Sequence, residues 1–123
     1  FGLAGHALEI ARGAKCVVQV DWARVPLIDG VHALASAGMV TGASGRNWAG
    51  YGHEVGLPAG FAAVDQALLS DPQTSGGLLV SCAPEAVPAV LEIFARHGFA
   101  AAAEIGQVLP AAGAKDGAAL QIV

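Results

Sequence analysis

The run Asp71-Pro72-Gln73-Thr74-Ser75-Gly76-Gly77 carries the densest set of groups that could contact an anion. Thr74 and Ser75 supply hydroxyl donors, and Asp71 can accept hydrogen bonds from the loop backbone or from a partner. The Gly76-Gly77 pair permits positive φ and a close backbone approach, so that N–H groups could point at a phosphate. The same composition is also typical of an ordinary turn before a strand. Two interpretations therefore stay open, a phosphate-binding loop and a structural turn.

A second group of candidates lies at Arg46 and Asn47. Arg46 offers a planar fork of donors suited to phosphate or carboxylate, although an exposed arginine in an ordinary salt bridge fits as well. Seven glycines between positions 38 and 60 predict a long shaped loop here, with a short helical turn over 47–54. Loops of this length in compact domains are usually functional or disordered. Trp48 and Tyr51 favour an ordered loop, because their rings can be buried.

The start of the chain gives a third group, Gly2, Gly5 and His6. Apolar residues recur at helical spacing and predict a helix over 3–12 that ends at Gly13. Near its N-terminus, Gly2 and Gly5 would allow a close approach by another backbone or by a phosphate. His6 is expected either to pack at a helix–sheet contact or to hydrogen-bond near the site.

These groups resemble the motifs of the selenophosphate synthetases, also called selenide, water dikinases. The run D-P-Q-T-S-G-G-L-L is similar to the C-terminal signature of that family, and the opening F-G-L-A-G-H is similar to its F-G-L-x-G-H segment. Gly45-Arg46-Asn47 and Tyr51-Gly52-His53 resemble further segments in the same order. The resemblance covers essentially all 123 residues but only the second half of a family member. We therefore interpret residues 1–123 as a single domain, the C-terminal domain of a two-domain ATP-dependent synthetase.

The resemblance implies an enzyme that makes selenophosphate from selenide, ATP and water and releases AMP and phosphate. It places the reactive Cys or selenocysteine, its neighbouring Lys and most Mg²⁺-binding aspartates in an N-terminal domain that this chain lacks. We therefore expect no catalytic residue and no metal ligand here, no cofactor bound by this domain alone, and no activity from it in isolation. The expected partners are the N-terminal domain, the substrates ATP and selenide, and a second copy in a full-length homodimer.

The residues that could contact substrate or phosphate share a polar or glycine character within loops. They are Arg46, Asn47, Asp71, Gln73, Thr74, Ser75, Gly76 and Gly77, with Gly2, Gly5 and His6 as secondary candidates. Two other functions remain open. One is the C-terminal domain of a sister ATP-dependent synthetase or kinase of the aminoimidazole-ribonucleotide-synthetase superfamily. The other is a non-catalytic module that binds phosphate or a metabolite.

Composition limits the function classes. At 54% hydrophobic and 13% charged residues, a chain of 123 residues fits one folded domain rather than a disordered segment. Six basic against ten acidic residues give a net charge of −4 without a Lys/Arg cluster, which argues against nucleic acid. There is no apolar run of the roughly 20 residues that a membrane span needs, and we expect no signal peptide. Cys16 and Cys82 lack C-x-x-C spacing and are predicted to be buried thiols, as expected in the cytoplasm.

The remaining pattern predicts the elements that hold the candidate loops. Alternation predicts a strand over 15–21, and helical spacing predicts helices over 31–38, 61–69 and 84–97. The unbroken apolar run Leu78 to Cys82 predicts a central strand covered on both faces, and 101–109 and 118–122 predict two final strands joined by a turn-rich segment over 110–117. The sum is an α+β fold, a mixed α/β sandwich with about four strands covered by helices. The resemblance implies the same fold, that of the C-terminal domain of aminoimidazole ribonucleotide synthetase.

Overall fold

The computed structural model describes residues 1–114 and 117–123. Five α-helices and four strands lie within these ranges. The helices are α1 (Gly2–Ala14), α2 (Val31–Ser36), α3 (Gly42–Tyr51), α4 (Ala63–Leu69) and α5 (Val87–Arg96), and the strands are β1 (Cys16–Val20), β2 (Val55–Gly56), β3 (Gly106–Pro110) and β4 (Leu120–Ile122).

The four strands form one mixed sheet in the order β2-β4-β1-β3. β1 is parallel to β4 and antiparallel to β3, and β2 is parallel to β4. The register pairs Val18 with Val108 on one side and with Leu120 on the other. The predicted α+β fold with a mixed sheet of about four strands is confirmed.

The core lies between α1 and one face of the sheet. α1 buries a stripe of small and aliphatic side chains, among them Ala4, Ala7, Leu8 and Ala11. These residues cluster with Val18, Val20, Leu120 and Ile122 from the two central strands, and with Tyr51 and Leu69 from α3 and α4. Alanines along α1 let its backbone lie close to the sheet, so the helix start is fixed relative to the ends of α3 and α4.

Most of the predicted elements are confirmed, with small shifts at their ends. α1 ends at Ala14 rather than at Gly13, because Lys15 adopts the left-handed conformation (φ 52°) and its N–H caps the carbonyls of the last turn. Pro88 lies within the first two positions of α5, where a missing N–H costs nothing, so it does not distort the helix as a proline further inside would. β3 covers only the last part of the predicted 101–109 strand and extends to Pro110.

The glycine-rich segment 39–60 is not the long loop that its composition predicts, because it contains α3 and β2. Each glycine lowers helix propensity by about 1 kcal/mol relative to alanine. Three local features offset this cost. The Thr41 side chain caps the helix by accepting from the Ser44 N–H, and Ser44 and Tyr51 bury one face. Trp48 packs edge-on against Tyr51, with ring centroids 6.4 Å apart.

The predicted central strand over Leu78 to Cys82 is wrong. No strand is formed there, Leu78 is 80% exposed, and Cys82 is exposed rather than buried. β3 and β4 already occupy both sides of β1, so this apolar run has no central place in the sheet. Only Leu79 packs against the core. Cys16 on β1 is half-buried, in line with its predicted strand position.

Two further expectations concern the end of the chain and the membrane. Within the predicted turn over 110–117, Ala111–Gly113 forms a 3₁₀ turn, while residues 115 and 116 lie outside the described residues. In the described part of the chain, no helix combines the length and the apolar character needed to cross a bilayer.

Candidate functional site

The first residue of the candidate loop, Asp71, is tied to the N-terminus of α3. Its Oδ1 accepts hydrogen bonds from Thr41 Oγ1 at 3.2 Å and from Ser44 Oγ at 3.3 Å. Thr41 is the residue that caps α3, so the carboxylate lies beside the positive end of the helix dipole. The loop therefore starts from a fixed point on α3.

Asn47 makes the second connection, one helical turn further on. Its Nδ2 donates to the backbone carbonyl of Ser70 at 3.0 Å. Ser70 is buried, and its own hydroxyl donates to the carbonyl of Gln66 in the last turn of α4. The structure thus brings Asn47 and Asp71 together. It also shows that one amide N–H of Asn47 has a structural partner.

The rest of the loop, from Gln73 to Gly77, is exposed. Neither Gly76 nor Gly77 uses the positive φ that glycine permits. A Cβ on Gly76 would lie 3.2 Å from the Gln73 side chain and 3.7 Å from the Gln73 carbonyl oxygen, and a Cβ on Gly77 would meet nothing within 4 Å. Thr74 and Ser75 are likewise exposed, so their hydroxyls are accessible to a ligand.

Gly2 is a glycine that the fold requires. It has φ +73°, and a Cβ there would lie 2.5 Å from the carbonyl carbon of Ser70. Gly5 is also buried, and its Cβ would overlap Phe1 and lie 3.2 Å from a ring carbon of Tyr51. The expected close backbone approach at Gly2 is therefore confirmed, and it places the start of α1 directly against the residue that precedes Asp71.

His6 lies on the exposed side of α1, so it does not pack at a helix–sheet contact. Its ring is near that of Phe1, with centroids 6.4 Å apart in an edge-on arrangement.

A groove of about 290 Å³ runs between α1 and α3. Gly5 and Arg12 line it from α1, and Arg46, Asn47 and Tyr51 line it from α3. It therefore connects two of the three groups of candidate residues. The groove leads toward Ser70 through the Asn47 amide.

The two arginines of the groove differ in their partners. Arg12 pairs with Glu54 at 2.5 Å and with Glu9 at 3.0 Å, and the hydrogen bond from Arg12 holds the pKa of Glu54 below its ordinary value. Arg46 is exposed and has no salt bridge to any residue in 1–114 or 117–123. Arg46 is thus the cation in the groove that is available to an anionic ligand.

Tyr51 closes the floor of the groove. Its hydroxyl donates to the carbonyl of Phe1 at 2.6 Å, and burial raises its pKa. The phenol is therefore neutral at physiological pH and acts as a link between α3 and the start of α1.

The sequence interpretation missed Thr41, Ser44 and the Arg12–Glu54 pair. Thr41 could have been found, because a threonine directly before a helical stretch is typical of an N-terminal cap. The Arg12–Glu54 pair spans 42 residues, and no local pattern indicates such a contact.

Comparison with known proteins gives a clear relationship. The profile of the family described as "AIR synthase related protein, C-terminal domain" matches residues 1–116. This chain belongs to that family. The predicted relationship to the aminoimidazole-ribonucleotide-synthetase superfamily is confirmed.

Three relatives of this C-terminal domain are named selenide, water dikinase. The protein of Burkholderia pseudomallei (strain K96243) is 57% identical over 116 residues, which cover 94% of this chain and 33% of the relative. The protein of Pseudomonas straminea is 56% identical over 88% of this chain and 30% of the relative. The protein of Rhizobium meliloti (strain 1021) is 45% identical over 86% of this chain and 30% of the relative. The chain thus spans about a third of the length of the curated relatives that it matches.

Proposed function

We propose that this chain is the C-terminal domain of a selenide, water dikinase. The full-length enzyme would convert ATP, selenide and water into selenophosphate, AMP and phosphate. In this proposal the groove between α1 and α3 and the loop 71–77 form one wall of the active-site cleft, and an N-terminal domain forms the other.

The relatives' shared name and their identity of 45–57% support the reaction. The observation that carries the role of this domain is the arrangement around Ser70. Gly2 abuts its backbone, Asn47 donates to its carbonyl, and Asp71 follows it on the N-terminus of α3. Three segments that are distant in sequence thus hold the start of an exposed polar loop rigidly, as a binding loop requires.

The residues of this domain suit an anionic substrate but not a metal cage. Arg46 can donate two parallel hydrogen bonds to a phosphate, and Thr74 and Ser75 can add hydroxyl donors. Among the described residues, no three His, Cys, Asp or Glu side chains cluster as metal ligands. We therefore derive no step through Mg²⁺ here and assign the domain to binding and orienting the phosphate groups of ATP or of the product.

The test is the rate of selenophosphate formation by the full-length enzyme with Arg46→Ala. Losing a hydrogen bond to a charged group costs about 1.5–3 kcal/mol, so kcat/KM for ATP should fall roughly 10- to 100-fold. Arg46→Lys should recover part of the loss, since it keeps the charge but not the fork.

Arg96→Ala is the matched control, because Arg96 is an exposed arginine on α5 that lies 3.8 Å from Glu92. It should leave the rate unchanged. A wild-type rate in the Arg46→Ala variant would show that the groove is not part of the active-site cleft.

A sister synthetase of the same superfamily is the second candidate, because the family profile itself is named for AIR synthase. The two differ in their second substrate. Consumption of ATP that depends on selenide supports the dikinase, whereas ATP consumption that needs another acceptor supports the sister enzyme.

A further inference from the structure

An exposed apolar surface lies on the segment between β1 and α3. It is formed by Leu27, Ile28, Leu34, Met39 and Val40, and we refer to it as the 27–40 surface. Ile28 is 84% exposed and Met39 is 70% exposed. Single exposed apolar side chains are normal, but five of them within fourteen residues of one segment favour a contact with another surface.

The segment that carries the 27–40 surface is itself poor in charge, although the Asp65 and Asp71 carboxylates reach its edges at His32 and Thr41. Between Val25 and Gly45, Asp29 is the only Asp, Glu, Lys or Arg, although most of these positions are exposed. Depletion of charged residues together with aliphatic and Met side chains is typical of the centre of an interface.

The interior contacts of α2 do not account for these side chains. α2 packs against α4 through buried Ala35 and through a His32–Asp65 contact of 3.1 Å. Leu34 lies on α2 but stays 51% exposed, and Met39 and Val40 follow the helix in an exposed turn. The face of α2 that packs on α4 is thus already occupied. The side chains of the 27–40 surface lie outside this contact and are exposed.

The 27–40 surface is continuous with the candidate site. Val40 directly precedes Thr41, whose hydroxyl donates to Asp71 at the start of the loop 71–77. Any structure that covers Val40 and Met39 therefore reaches the edge of the loop. Five side chains are too few for an interface between domains, which buries about 600–1,500 Å². They can form the apolar centre of one that also includes the loop.

We propose that the remainder of a longer chain, of the length that the relatives have, packs on the 27–40 surface as the N-terminal domain. The inference rests on the proposed function, since it takes this chain as one domain of a two-domain enzyme. The length of the relatives supports it. This chain spans about a third of them, so the other two thirds of such a protein must fold beside this domain and need a surface on it to pack against. The contact would hold the two walls of the cleft at a fixed distance.

The test is thiol labelling of the full-length enzyme, followed peptide by peptide by mass spectrometry. Ile28→Cys and Met39→Cys report on the 27–40 surface, and Glu92→Cys on α5 is the control, because Glu92 is a charged side chain that is 70% exposed. The labelling rate of each variant is divided by the rate of the same variant unfolded in urea. We expect both surface variants to react at least about ten-fold more slowly than the control, as buried positions do.

Labelling of Ile28→Cys and Met39→Cys as fast as that of Glu92→Cys would overturn the proposal. Protection that is lost when the enzyme is diluted to a monomer would also overturn it, because a second copy would then be the occupant. Selenide-dependent AMP formation is measured on the same samples. Protection without that activity contradicts the function alone, and activity without protection contradicts the docking surface alone.

Discussion

At the scale of single residues, the side chains of the candidate site divide into those with structural partners and those without. Asp71 and Asn47 are fixed by hydrogen bonds to Thr41, Ser44 and the carbonyl of Ser70. Arg46, Thr74 and Ser75 are exposed. A substitution of Asn47 would therefore remove a structural hydrogen bond as well as a proposed ligand contact, so Arg46 and Thr74 are the cleaner probes of the proposed binding.

An added side chain should destabilise the fold strongly at Gly2 and hardly at all at Gly76. Gly2→Ala should lower the free energy of unfolding by at least about 2 kcal/mol, since it adds left-handed strain to an overlap with Ser70. Gly76→Val should change it by no more than about 0.5 kcal/mol, because Gly76 has no positive φ and the added Cβ meets only the exposed residue Gln73. Chemical denaturation of each variant measures both values.

Gly60→Ala is the control for the backbone term, because Gly60 has φ +77° but its Cβ would meet nothing within 4 Å. Its cost reports left-handed strain alone. Equal losses for Gly2→Ala and Gly60→Ala would show that the contact with Ser70 is not tight.

At the scale of elements, the sequence predicts those with a strong local period and misplaces those that depend on distant partners. The alanine-rich stripe of α1 and the alternating pattern of β1 are periodic, and both elements form where they were predicted, although Val17 on the second face of β1 is buried as well. α3 was not, because its glycines favour a loop while the Thr41 cap and the burial of Tyr51 stabilise a helix. The run Leu78 to Cys82 has the composition of a buried strand, but which strands flank β1 is decided by pairing across the whole chain. For the same reason, the sequence could indicate that the Asn47 segment and the loop 71–77 lie on the same face, but not that Asn47 contacts Ser70.

The Arg12–Glu54 pair links α1 to the turn before β2 and makes stability depend on pH. Arg12 lowers the pKa of Glu54 in the folded state, so the pair stabilises the fold above the ordinary pKa of a glutamate, near 4.5. This contribution is lost as the pH falls below that value and through the lower folded pKa. The free energy of unfolding of the wild type should thus fall more steeply below pH 4.5 than that of Glu54→Gln.

Arg12→Met tests the cause, because it leaves Glu54 in place without its partner. Its pH profile should have the shallower slope of Glu54→Gln. Parallel profiles for the wild type and Glu54→Gln would mean that the pair does not contribute to stability.

At the scale of the whole molecule, one side of the sheet is well covered and other surfaces remain apolar and exposed. α1 covers the central strands, whereas α5 has no fully buried residue and Phe99 after it is 62% exposed. Such surfaces are expected of a domain that spans about a third of its relatives' length. The 27–40 surface is distinguished from them by its place on a segment with a single charged residue, Asp29, and by its continuity with Asp71 through Thr41.

The most direct test of the proposed reaction is phosphorus NMR of the full-length enzyme with ATP, with and without selenide. The account predicts that selenophosphate, AMP and orthophosphate appear in equal amounts, one of each per ATP consumed, and only when selenide is present. Formation of ADP, or of AMP at the same rate without selenide, would contradict it.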